Sequence, residues 1–226
     1  MLSKPRVRTR ANDFTDLEGE GAGVKPAAMK TKIRFATPAD AAAVAEIYGP
    51  FCEGSPITFE TERPTIGEIE NRIRKILERF PWLICENENE VIGYAYAGPH
   101  RDRAAYRWCV DVAIYLSGNR QGQGFGTALY TVLFQLLRIQ GYFQAYAGIT
   151  LPNPASIRLH QKLGFEPVGV YKRVGFKANA WHDVSWWALA LQPADRPPAE
   201  ALSIRDALER EDFRAAIQTA EPSVLS

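Results

Sequence analysis

Between residues 120 and 127 the chain reads Arg120-Gln121-Gly122-Gln123-Gly124-Phe125-Gly126-Thr127. Alternating glycines let a backbone come close to a ligand. The Leu-rich helical pattern that follows adds unpaired N–H groups and the positive end of a helix dipole. Such a bend is an anion cradle suited to a diphosphate. A Walker loop is excluded because no Gly-Lys-Ser/Thr ending follows. A dinucleotide fingerprint is excluded because Gly122-x-Gly124 leads to Thr127, where the third glycine belongs. A plain strand-to-helix turn is the alternative.

Upstream, Asp111 interrupts the apolar run Trp108-Cys109-Val110-Asp111-Val112-Ala113-Ile114. Burial in such a strand raises a carboxyl pKa and readies it to accept a proton; an acid paired with a nearby arginine is the competing reading. The segment His100–Trp108 sets Arg101, Arg103 and Arg107 beside aromatics. That combination either clamps a carboxylate or phosphinate or forms a solvated basic loop. His100, His160 and His182 show no metal-ligand spacing, so no metal is expected. Cys52, Cys85 and Cys109 are scattered and odd in number, which argues against a disulfide framework and for a reducing, cytoplasmic setting.

The elements that must position these residues follow from the period of the pattern. Ile33–Phe35 reads as a strand. Thr37-Pro38-Ala39-Asp40 and Thr65-Ile66-Gly67-Glu68 read as capped helix starts. Trp82–Cys85 and Val91–Ala97 bracket a polar turn as a hairpin, and Tyr106–Leu116 reads as a long strand. Leu129, Val132, Leu133, Leu136 and Leu137 give a helix ending at Gly141. A strand at Tyr142–Ile149, a short helix from Asn153-Pro154 to Gly164, and strands near Pro167–Lys172 and Asp183–Leu191 complete an α/β domain with a mixed sheet over 31–192. Residues 1–30 read as a flexible leader with little to bury, and Met29 is an alternative start. Pro193, Pro197 and Pro198 mark a linker opening a segment, 193–226, with an amphipathic helix expected over 199–217. The 226 residues carry a formal charge of +1 and no apolar run long enough to span a bilayer. Neither a nucleic-acid partner nor a membrane is expected.

Gln121-x-x-Gly124-x-Gly126, together with Asn153 and Leu159-His160-x-Lys162-x-Gly164-Phe165, resembles the two signatures of the Gcn5-related N-acetyltransferases (GNAT). Ile57–Glu62, Pro81-Trp82-Leu83, Gly93–Pro99, Leu151-Pro152-Asn153 and Trp181-His182-Asp183-Val184 look like the phosphinothricin and methionine sulfoximine acetyltransferases within it. The resemblance implies a GNAT fold: a mostly antiparallel mixed sheet, flanked by helices, whose two central strands splay apart to admit pantetheine. It implies acetyl-CoA as co-substrate, held by Ile114, Tyr115 and Leu116, by Gln121, Gly122, Gln123, Gly124, Phe125, Gly126 and Thr127, and by Asn153 and Lys162. It implies direct transfer to the α-amine of a small amino-acid analogue. Asp111 stands as general base where the subfamily has Glu. His160, at a position where the family often has Tyr, either relays protons or is a satisfied helix-face histidine; Tyr115 is a further candidate. Phe59, Arg101, Arg103, Ala104, Ala105, Tyr106, Tyr130 and Trp181 would line the acceptor pocket. A homodimer is implied as well, with Trp186-Trp187 either at its interface or in the core.

Overall fold

Alternating and fully apolar runs build seven strands: β1 (Thr31–Phe35), β2 (Trp82–Asn87), β3 (Glu90–Pro99), β4 (Cys109–Leu116), β5 (Gln144–Thr150), β6 (Glu166–Lys177) and β7 (Ala180–Ala190). In this computed structural model they form one sheet in the order β1-β2-β3-β4-β5-β7-β6. Every neighbouring pair is antiparallel except β4–β5. Residues 31–195 and 197–218 are described; the expected leader over 1–30, the alternative start at Met29 and the end of the tail lie outside them.

Among the described residues six α-helices flank the sheet: α1 (Ala41–Gly54), α2 (Ile66–Leu77), α3 (Phe125–Gln140), α4 (Pro154–Lys162), α5 (Ile204–Leu208) and α6 (Glu211–Gln218). Thr65 opens α2 with the expected capping box, its hydroxyl accepting from Glu68 N while Glu68 reaches back to Thr65 N. Asn153 Oδ1 caps α4 through Ser156 N at 3.1 Å.

Cross-strand register sorts the sheet into two faces. Ala95, Ala97, Val110 and Val112 join Leu129, Leu133 and Leu137 of α3 in the larger core; Tyr94, Trp82 and Ile84 join Val44, Ile69 and Ile73 of α1 and α2 in a second one. Asp111 pairs across with Gly98, and Tyr115 with Tyr94. Asp111, Ala113 and Tyr115 therefore lie on the α1–α2 face and Val112, Ile114 and Leu116 on the α3 face.

The parallel pair is short. β4 and β5 are matched only over Cys109–Asp111 and Gln144–Tyr146. Beyond that point β4 stays with β3 as far as Leu116 and β5 stays with β7 as far as Thr150, so the central strands part at Asp111.

Two expectations need correction. The strand expected over Tyr106–Leu116 begins at Cys109. Before it, Ala104–Tyr106 form a 3-10 turn, and Trp108 Nε1 donates outward to the Ala199 carbonyl at 2.7 Å. The single helix expected over 199–217 is two short ones, α5 capped by Ser203 and α6 starting at Glu211. They pack inward: Ala201, Ile204, Ala207, Phe213 and Ala216 are buried in the α3-side core. Trp187 is core too, whereas the exposed aromatics of the β6–β7 hairpin are Tyr171, Phe176 and Trp181.

Candidate active site

The bend before α3 has the shape its glycines permit. Gly122 and Gly124 take φ of 77° and 90°, a region costly for any residue with a Cβ. Gly124 occupies the cap position and brings no capping side chain. The N–H groups of Phe125, Gly126 and Thr127 thus open the helix without an intrahelical acceptor, and the first return bond runs from Ala128 N to Gly124 O. Gly126 fits against Leu159, Leu116 and Ile114, where a Cβ would meet Leu159 at 3.2 Å. The bend holds its own shape through Arg120 N to Ser117 O and Gln123 Nε2 to Asn119 O.

This bend forms one wall of a cleft of about 360 Å³ whose other walls are Ile114–Leu116 of β4 and Asn153, Arg158 and Lys162 of α4. Arg158 and Lys162, one turn apart on α4, have no carboxylate partner among the described residues. The cleft thus combines exposed amides, two cations and a strand edge. Strand edge and amides suit an extended amide-containing chain ending in phosphates. A smaller cavity of about 70 Å³ continues into the wedge between Val112–Tyr115 and Ala147–Thr150, with Tyr130, Ser156 and His160 also on its wall.

At the tip of the wedge, on the α1–α2 face, Asp111 is half-buried, and burial pushes its carboxyl above the ordinary range while a hydrogen bond to His100 pulls it back. The partner is therefore a histidine and not the arginine that sequence reasoning weighed: His100 Nδ1 and Asp111 Oδ1 are 2.6 Å apart. His100 stacks on Tyr146 with centroids at 4.3 Å, and Tyr106 and Trp186 stand edge-on at 6.0 and 6.2 Å. Arg101 lies over Trp186 at 5.5 Å. Arg103, Ala104, Ala105 and Tyr106 are exposed around this aromatic cup. Arg107 is not part of it, since it pairs with Glu200 of the tail at 3.1 Å. Phe59 lies against Gly175 of β6; its loop is fastened by Tyr48 to Thr58 at 2.6 Å, by Arg72 on both oxygens of Glu60 and by Lys177 Nζ to the Thr58 carbonyl.

The remaining expected site residues differ in their placement. Trp181 is 61% exposed at the turn of β6–β7, against Phe176. Tyr130 is buried in the α3-side core and borders the small cavity of the wedge. Tyr115 packs its ring among Tyr48, Phe51 and Tyr94, and burial drives its hydroxyl far above the usual range, while the residue lines both the cleft and the wedge. His160 is 2% exposed. Its Nδ1 donates to the Ser156 carbonyl at 2.8 Å and its Nε2 accepts from the Tyr130 hydroxyl at 3.4 Å. It stands on the opposite face of β4 from Asp111, and burial lowers its pKa. Both ring nitrogens are used, which is how a satisfied core histidine looks.

A family model described as an acetyltransferase (GNAT) domain matches residues 33–186. The chain belongs to the GNAT acetyltransferases. GNAT enzymes transfer the acetyl group of acetyl-CoA, and the exposed amides, cations and strand edge of the cleft suit its diphosphate and pantetheine. Among relatives of this GNAT chain, phosphinothricin N-acetyltransferase of Streptomyces viridochromogenes is 40% identical over 164 residues, covering 73% of this chain and 90% of its own. The L-methionine sulfoximine/L-methionine sulfone acetyltransferase of Salmonella typhimurium is 34% identical over 168 residues, covering 74% and 98%. A phosphinothricin acetyltransferase from Sinorhizobium meliloti, solved in complex with acetyl-CoA, superposes with a TM-score of 0.73 at 35% identity, over 76% of this chain and 95% of that one.

His100, Tyr146, Trp186 and Arg158 were not singled out from the sequence as site residues. The first three are brought together by the β3–β4, β4–β5 and β5–β7 registers, which no local pattern encodes. Arg158 had a legible signal: it shares a helix face with Lys162 at i, i+4.

Proposed function

We propose that this N-acetyltransferase acetylates the α-amine of a small amino-acid analogue that keeps its α-carboxylate, such as phosphinothricin, methionine sulfoximine or methionine sulfone, and so serves detoxification in the cytoplasm. The observation that carries this reading is the wedge opening at Asp111, with an amide-and-cation cradle at one end and an arginine-rimmed aromatic cup at the other. Gln121 to Thr127, with Lys162 and Arg158, hold the diphosphate end of acetyl-CoA. The main chain of Ile114, Tyr115 and Leu116 holds its extended arm, and Asn153 borders both. When bound, acetyl-CoA supplies the thioester carbonyl that the amine attacks. Arg101 and Arg103 grip the acceptor's anionic group, Phe59 and Tyr106 wall its side chain, and Asp111 drives loss of a proton from the ammonium group. His160 braces α4 and the wall of the wedge through its two hydrogen bonds.

A cationic acceptor such as a polyamine or aminoglycoside would call for carboxylates at the rim, where Arg101 and Arg103 stand. Thiol release from acetyl-CoA, measured with the full chain against phosphinothricin, methionine sulfone, spermidine, an aminoglycoside and a peptide with a free N-terminus, tests the assignment. Turnover confined to the first two supports it, and turnover confined to the cationic amines or the peptide overturns it.

The exposed apolar residues Val168, Val170, Tyr171, Val174, Phe176 and Trp181 of the β6–β7 hairpin are more than an isolated surface contact and fit a second copy of the chain. A mass of two chains in light scattering, reduced to one by Tyr171→Arg, is the expected result.

A further inference from the structure

At the tip of the wedge the acid is an aspartate, one methylene shorter than the glutamate implied there by the family resemblance, and its carboxylate does not stand alone. We propose that His100 takes the proton from the acceptor's ammonium group and that Asp111 is the positioning residue behind it. This role rests on the N-acetyltransferase reading above.

The hydrogen bond decides the tautomer. A carboxylate oxygen 2.6 Å from Nδ1 can only accept, so Nδ1 carries the hydrogen and the lone pair sits on Nε2. No partner for Nε2 is recorded among the described residues. The ring cannot turn away. Tyr146 lies against its face at 4.3 Å, with the planes 17° apart, while Tyr106 and Trp186 close its edges, and its side chain is 11% exposed. Every contact comes from an element that meets the wedge: Asp111 from β4, Tyr146 from β5, Trp186 from β7, Tyr106 and Arg101 from the rim loop. Cys109, also on β4, and Tyr96 of β3 are further titratable neighbours of Asp111.

Arg101 follows His100 directly and donates to its carbonyl at 2.8 Å, with the guanidinium over Trp186. A carboxylate held by Arg101 would bind at the residue next in sequence to the imidazole, which is the arrangement the proposal uses. His160, by contrast, has both ring nitrogens engaged and faces the other side of β4.

The step balances. The ammonium gives one proton to Nε2. Its nitrogen lone pair forms the new C–N bond while the C–S bond breaks with its electron pair on sulfur. A second proton from that nitrogen goes to the departing sulfur, giving a thiol. The imidazolium, stabilised by the Asp111 carboxylate, then returns its proton to water.

Three variants test the pair: His100→Gln, Asp111→Asn and the double variant, assayed with acetyl-CoA and methionine sulfone, with acetyl-CoA affinity by calorimetry and the thermal midpoint as controls. His100→Gln should lower kcat about 100-fold or more, with acetyl-CoA affinity and midpoint near those of the parent. The acidic limb of its kcat/KM profile should flatten, and the double variant should be no slower than the slower single one, as expected of groups acting as a unit. Imidazole added to His100→Gly should restore part of the rate. His100→Gln within about threefold of the parent while Asp111→Asn is inactive would show that the carboxylate acts directly, as would a folded His100→Gly that imidazole does not rescue. A parent chain that binds acetyl-CoA and acetylates no acceptor overturns the N-acetyltransferase reading, and this pair with it.

Discussion

In the proposed reaction a carboxylate, one histidine and two exposed arginines act at the acceptor end, a second histidine is structural, and their environments separate their roles. Asp111 is held above the ordinary carboxyl range by burial, beside an imidazole. Arg103 is exposed at the rim and Arg101 is propped on Trp186. In the proposed reading Arg103 binds the acceptor and takes no part in the bond-making step. Arg103→Ala should raise KM for an anionic acceptor about tenfold or more while KM for acetyl-CoA stays put, in steady-state assays with each substrate varied. His160 gives a stability prediction. Burial keeps its pKa below the ordinary value of about 6.5, so below that pH the unfolded chain takes up a proton that the folded chain refuses. Its contribution is complete above about pH 6.5 and is lost as pH falls towards the lower folded value. The melting midpoint of the parent should therefore fall more steeply between about pH 7 and about pH 5 than that of His160→Gln, measured by scanning calorimetry at several pH values.

At the scale of the element, the cradle and the wedge are both made by interruptions of regular structure. The helix α3 begins at a glycine with φ of 90°, and nothing lies within 4 Å of where a Cβ would sit. The need for glycine there is conformational, with no crowding behind it. Gly124→Ala should cost roughly 1–2 kcal/mol of stability. It should also weaken acetyl-CoA binding, by tilting the Phe125–Thr127 amides, while acceptor KM is untouched; calorimetry and kinetics separate the two. The wedge exists because β4 and β5 stop pairing at Asp111 and Tyr146. Each strand then keeps its hydrogen bonds on its far side, with β3 and with β7. The parted edges leave main-chain groups to be met by a ligand, which a closed sheet would not offer.

Taken whole, the molecule extends its core beyond the region matched by the family model, which ends at residue 186. Phe213 of α6 is fully buried and stacks on Phe35 of β1 at 6.1 Å, tying the tail to the opposite end of the sequence. Glu200 reaches Arg79, after α2, at 3.6 Å and Arg107, at the foot of the rim loop, at 3.1 Å. The tail is thus a strap from the α3 side of the core to the acceptor rim. Phe213→Ala should lose about 3–5 kcal/mol in urea unfolding, a large share of a typical domain's stability.

The element order, the glycine cradle and the acid in an apolar strand were legible in the chain because each is local: a period of two or 3.6, a cap, a run of glycines, one charged residue among β-branched ones. Those signals gave an α/β mixed sheet and a diphosphate cradle, and the resemblance carried by the two spaced motifs pointed correctly to the GNAT fold and to acetyl-CoA. What the sequence could not supply was pairing. That Asp111 meets His100 and no arginine, that Arg107 turns to Glu200, and that His160 and Asp111 fall on opposite faces of β4 all depend on strand register and on a long loop closing over the sheet. Such contacts join residues far apart in the chain, and burial decides among them only once the two faces of the sheet have been packed.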